Sequence, residues 1–168
     1  MKESFIHKYR PLKLTEFTLK TNIIDLIKTL ISMETLNVLL IGNSGSGKST
    51  LMHAIVEEYY GSSYEKSNIL TITNLKDQGI SYYRSEVKTF CQTASIVPNK
   101  KKILFLDDLD TINEQSQQVF RNCMDKYSHN VLFIASGTNP QKIIDSLQSR
   151  MTLIKLTVHT NEQLLIIL

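Results

Sequence analysis

The sequence predicts an α/β fold: a five-stranded parallel sheet with helices on both faces. Three observations predict it. Five short apolar runs are separated by segments whose apolar residues recur at helical spacing. The runs are too uniformly apolar for strands with one wet face, and suit strands buried on both. No internal repeat or low-complexity segment interrupts the pattern, so 168 residues suit one domain, or one domain plus a fragment of a second.

Residues 22–33 read as a helix, because Ile23, Ile27, Leu30 and Ile31 share a face and Asn22 with Asp25 forms a capping pair. Residues 36–41 read as a buried strand, followed by a glycine-rich turn and a helix at about 47–60. Residues 68–73 are the second strand. Residues 80–91 are a helix with Ile80, Tyr83, Val87 and Phe90 toward the core. The third strand, 103–106, is short and wholly apolar. Residues 113–127 are a helix with Phe120, Cys123, Met124 and Tyr127 at i, i+3, i+4 and i+7. Residues 131–135 are the fourth strand, 140–147 a short helix opening on Pro140, and 152–156 the fifth strand. A last helix begins near Thr160. Right-handed crossovers put the ligand crevice of such a sheet at the C-terminal strand ends.

Hydrophobic residues are 42% and charged residues 21%, which excludes a disordered chain. The net charge of +3 permits a nucleic-acid partner without demanding one. Cys91 and Cys123 exclude a disulfide scaffold and a cysteine-only zinc site, and suit an intracellular, reducing compartment, nucleus or cytoplasm. His7, His129 and His159 lack ligand-like spacing, and His53 reads as exposed on the helix after the glycine-rich turn. No run of about 18 apolar residues exists to span a membrane, and the charged stretch Met1–Arg10 is no signal peptide. Lys100, Lys101 and Lys102 read as a solvated turn.

Gly42, Asn43, Ser44, Gly45, Ser46, Gly47, Lys48 and Ser49 match G-x-x-x-x-G-K-[ST] between a strand and a helix, with Thr50 next. Glycines let backbone N–H groups turn inward around phosphate oxygens, and the helix N-terminus adds partial positive charge. Lys48 is placed to reach β- and γ-phosphates, and the Ser49 hydroxyl to ligate Mg²⁺. Asp107 and Asp108 end the third strand. A carboxylate there holds Mg²⁺ beside the loop, a role given to Asp107, leaving Asp108 to polarise an attacking water. The competing reading is an acidic helix start at Asp108 and Asp110.

The order of motifs resembles AAA+ ATPases, and within them the small subunits of replication factor C-type clamp loaders. His7 to Pro11 is similar to the family's "KYRP" box, and Gln117 to Asn130 to its "QQALRRTMEKYSKN". Thr138 to Lys142 resembles the sensor 1 region, and Gln148 to Met151 resembles "QSRC". The resemblance implies a P-loop NTPase (AAA+) three-layer sandwich over residues 1–158, with 159–168 as the truncated start of a helical lid. It implies ATP and Mg²⁺ as ligands, with Tyr9, Arg10 and Pro11 against the adenine. Thr138 then reads the γ-phosphate, with Asn139 as the alternative, and Arg150 reaches the ATP of a neighbouring subunit. The implied partners are other clamp-loader subunits, a sliding clamp and primer-template DNA, whose backbone Arg84 and Lys88 would track. Asp108 stands where the family usually has glutamate, and Met151 where it has cysteine. The alternatives are an AAA+ scaffold that hydrolyses poorly and another DNA-linked AAA+ protein such as a helicase loader. A small-molecule P-loop kinase is more distant.

Overall fold

The computed structural model describes residues 11–17, 19, 21–73 and 79–157. Five strands appear among them: β1 (Val38–Ile41), β2 (Ile69–Ile72), β3 (Lys102–Leu106), β4 (Val131–Gly137) and β5 (Thr152–Lys155). The main helices are α1 (Thr21–Ser32), α2 (Lys48–Tyr60), α3 (residues 80–92), α4 (Glu114–Tyr127) and α5 (Asp145–Gln148). All strand pairs are parallel and the order is β2-β3-β4-β1-β5. Tyr9, Arg10 and residues 159–168 lie outside the described residues.

Alternation of side chains along the strands divides the core. Leu39, Ile41, Leu104, Leu106, Phe133 and Ala135 pack on one face with residues of α3 and α4. Val38, Leu40, Ile103, Phe105, Leu132 and Ile134 pack on the other with α1 and α2. The sheet is therefore the middle of three layers, as expected. Phe120 of α4 is fully buried, its ring centroid 4.9 Å from that of Tyr83. Phe120→Ala is expected to cost about 3–5 kcal/mol, read as a lowered denaturation midpoint. Tyr83 belongs to this packing.

Several boundaries and one charge run differ from the sequence reading. β1 begins at Val38; Asn37 O accepts the first ladder bond from Thr152 N of β5 at 2.7 Å, and on the β4 side its Oδ1 accepts from Phe133 N at 2.9 Å. Residues 140–147 are a 3₁₀ turn, Pro140–Lys142, followed by the shorter α5. α3 contains a π-helical stretch, Tyr83–Val87. Its buried stripe is Tyr83, Val87 and Cys91, and Ile80 and Phe90 are half-buried.

Lys102 is not in a solvated turn. It opens β3, is 4% exposed, and donates to Phe90 O at 2.7 Å and to Thr93 Oγ1. An ammonium at the end of α3 satisfies carbonyls that the helix leaves unpaired, and burial lowers its pKa. Lys101 Nζ likewise donates to Glu34 O and Ser128 O.

Candidate phosphate-binding site

The register brings three strand ends together. Ile41 pairs with Gly137, and Leu106 with Ala135, so the segments leaving β1, β3 and β4 emerge side by side. A cavity of about 470 Å³ lies there, lined by Ser44, Gly45, Gly47, Lys48, Ser49 and Thr50 on one side. Asp108, Asp110, Thr111 and Thr138 line the other.

The loop takes its shape from its glycines. Gly45 and Gly47 have φ of +78° and +84°, a region side chains with a Cβ rarely adopt. Gly42 serves by its size: a Cβ there would stand 2.6 Å from Ser46 Oγ and 2.8 Å from Leu156 O. α2 starts at Lys48, which is 7% exposed. Its Nζ donates to Gly42 O at 2.8 Å and Asn43 O at 3.0 Å, folding the ammonium back over the loop. Ser46 Oγ is buried without a hydrogen-bond partner.

Ser49 Oγ donates to Asp107 Oδ2 at 3.0 Å, joining the head of α2 to the end of β3. Ser136 Oγ donates to Asp107 Oδ1 and accepts from Asp108 N. This buried serine of β4 holds both aspartates in place. Its signal in the sequence is small: one polar residue near the end of an apolar run. A hydroxyl and a carboxylate oxygen converging at a helix N-terminus form a hard-oxygen pair suited to Mg²⁺.

Asp108 has φ +56°, so the chain bends at once after Asp107 and turns Asp108 into the cavity. Burial, then the neighbouring Asp107 charge, raises its pKa; Lys48 opposes this and Asp110 adds to it. A carboxyl raised in the fold stabilises when protonated, and that contribution is lost as pH rises through its folded pKa. At neutral pH Asp108→Asn is therefore expected to raise the melting midpoint, since asparagine also tolerates positive φ.

Asp110 is not a bare helix start. It accepts from Thr138 Oγ1 at 2.7 Å, Thr138 N at 3.2 Å and Asn139 N at 3.0 Å. Burial would raise its pKa, but these bonds outweigh it and hold the carboxyl below its usual range. Asp110 thus ties the end of β4 to the acidic turn. Asn139 Oδ1 accepts from Gln141 N. Gln117, fully buried, donates to Ile112 O and Lys142 O and accepts from Ile144 N, linking α4 to the segment before α5.

The remaining sequence candidates stand elsewhere. Pro11 is half-buried and does not line the cavity. Arg150, after α5, bonds to Asp125 and Ser146 rather than to the loop. Arg84 and Lys88 line a groove of about 370 Å³ between α3 and α4, where Lys126 adds a third cation. Cys123 also lines this groove, and both cysteines are buried free thiols.

Known proteins are similar to this chain in sequence or in fold. The chain is 31% identical over 165 residues to the replication factor C small subunit of Methanococcus vannielii, covering 98% of this chain and 52% of that protein. It is 34% identical over 149 residues to that of Haloarcula marismortui, covering 88% and 45%. The chain thus spans about half the length of the curated relatives it matches. RuvB of Thermotoga maritima, a Holliday junction branch migration motor, superimposes with a TM-score of 0.71 at 19% identity, over 95% of this chain and 52% of that one. AMPPCP-bound DnaA of Aquifex aeolicus gives 0.61 at 18%, over 86% and 49%. The segment that matches a family sequence pattern, residues 38–157, runs from β1 past Arg150 and holds the loop, both aspartates and Thr138. By that match the chain belongs to the ATPase family associated with various cellular activities (AAA).

Proposed function

We propose that this chain is an ATP-binding and ATP-hydrolysing subunit of a DNA sliding-clamp loader, acting in replication within a hetero-oligomer. One observation carries the reading. Lys48, Ser49 and Asp108 line one open cavity, with Asp107 bonded to Ser49 at its edge, in a chain similar to replication factor C small subunits over nearly its whole length.

ATP lies with its phosphates along residues 42–49, where backbone N–H groups and the head of α2 meet the anion. Lys48 Nζ exchanges the carbonyls of Gly42 and Asn43 for phosphate oxygens. Ser49 and Asp107 would hold Mg²⁺, which when bound neutralises phosphate charge. Asp108 orients water and takes its proton. Thr138, anchored by Asp110, reads the γ-phosphate from the opposite wall. The adenine is assigned to Tyr9, Arg10 and Pro11 on the family resemblance alone. Arg150 serves a neighbour's ATP, so turnover needs assembly. Arg84 and Lys88, joined by Lys126, contact phosphates of primer-template DNA without reading sequence. The two free thiols are in keeping with a reducing intracellular compartment.

The test combines the chain with companion subunits, a sliding clamp and primed DNA, and follows phosphate release. Release that requires the full mixture supports the reading. Nucleotide binding without release in every combination overturns the hydrolytic role, and no nucleotide binding overturns the whole of it.

A further inference from the structure

Arg150 is not idle in the isolated chain. Its Nε donates to Asp125 Oδ1 at 2.6 Å, Nη2 to Asp125 Oδ2 at 3.2 Å and Nη1 to Ser146 O at 2.6 Å. A planar guanidinium gripped on its Nε edge by a carboxylate has a defined direction. Each Nη keeps a second N–H outside these contacts. Asp125 stands on α4, the helix that Gln117 locks to the segment before α5. Arg150 is thus aimed by the body of the domain and not by its own flexible stem.

A second arginine waits at the same carboxylate. Arg121 Nε lies 3.3 Å from Asp125 Oδ2, one turn earlier on α4. That Nε is buried and makes no hydrogen bond, while Nη1 of the same guanidinium donates to Asn122 Oδ1 at 3.0 Å. If Arg150 leaves, Asp125 can close the bond to Arg121, so neither the carboxylate nor the buried Nε is left unpaired. The pair with Arg150 is half-exposed, with side chains 32% and 42% accessible, and such pairs are weak enough to be exchanged. The carboxyl is held below its usual range first by the Arg150 hydrogen bond, and charge from Arg150 and Arg121 adds to this. Arg150 and Arg121 thus both favour the ionised carboxylate.

We propose that Asp125 is a positioning residue that parks Arg150 in the free chain and releases it to the phosphate of an adjacent subunit, with Arg121 as the replacement counter-ion. The handover rests on the trans role of Arg150 proposed above; the parking does not. An anionic phosphate outcompetes a half-exposed carboxylate that has another cation at hand. A neighbour that presents no phosphate leaves the guanidinium where it is.

Two measurements on the full chain test this. The first follows modification of Arg150 by phenylglyoxal, read by peptide mass spectrometry. Asp125→Asn is expected to react at least about threefold faster than the unaltered chain, and Asp125→Glu to stay slow. Equal rates in all three, with unchanged circular dichroism, overturn the parking. The second follows phosphate release in the subunit, clamp and primed-DNA mixture, with the variant in this chain alone. Asp125→Asn is expected to alter kcat at the site served by Arg150 with KM for ATP little changed, and Asp125→Glu to restore it. Arg121→Ala is expected to lower kcat, because release of Arg150 then strands the carboxylate. An Arg150-dependent rate insensitive to Asp125 and Arg121 overturns the handover while leaving the trans role intact. A rate independent of Arg150 removes the trans role and the handover together.

Discussion

Lys48→Ala is expected to weaken ATP binding by about 100-fold or more. The ammonium is buried at the head of α2, and its two present partners are carbonyls of the loop itself. On binding it exchanges these for anionic oxygens, and a hydrogen bond to a charged group contributes about 1.5–3 kcal/mol. Two such contacts amount to roughly two powers of ten or more in affinity. Alanine is a good helix former at this first position of α2, so the fold should persist. Isothermal titration with ATP and Mg²⁺ gives the answer, with circular dichroism as the check on folding. Affinity within about threefold of the unaltered chain would mean that the loop does not grip a triphosphate.

Arg150→Ala should have the opposite signature: binding intact and turnover lost. Arg150 lines no part of the cavity, so this subunit's own affinity for ATP is expected to stay within about twofold. The assembled complex is expected to lose about 10³-fold or more at the site next door, the range for a guanidinium supplied in trans to a phosphoryl transfer. Mixed assemblies make the direction explicit. A variant subunit should silence its neighbour's site and leave its own active. Loss at its own site would place the arginine in cis, which the bonds to Asp125 and Ser146 do not favour.

The two variants also separate what sequence reading can reach from what it cannot. Residues 42–49 are contiguous, and their function follows from local backbone geometry and a helix start, so the loop was legible before any fold was known. The place of Asp107 and Asp108 was legible for a related reason: an apolar strand that ends in carboxylates puts them at the sheet's ligand edge. Arg150 was reached only through a resemblance. Nothing in its local sequence separates a finger from a helix cap.

Other features were beyond that reading because they depend on neighbours distant along the chain. Ser136 looks like a polar residue closing a strand until β4 lies beside β3 and it holds both aspartates. Asp110 looks like a helix start until Thr138 and Asn139 come within hydrogen-bond reach. Lys102 looks solvated until α3 ends over it and offers carbonyls. In α3, where the π stretch lies, Tyr83 and Val87 are buried as a regular helix predicts, but Cys91 takes the place of Ile80 and Phe90 in the buried stripe.

The order of helices and strands, the parallel sheet and the phosphate loop were written in the amino acids alone, since period, capping and glycine placement act over a few residues. Which carboxylate faces the cavity, what anchors Thr138, and the bond between Arg150 and Asp125 had to await folding. Those contacts join residues up to several tens of positions apart, and their geometry exists only once the sheet register has set the strand ends side by side.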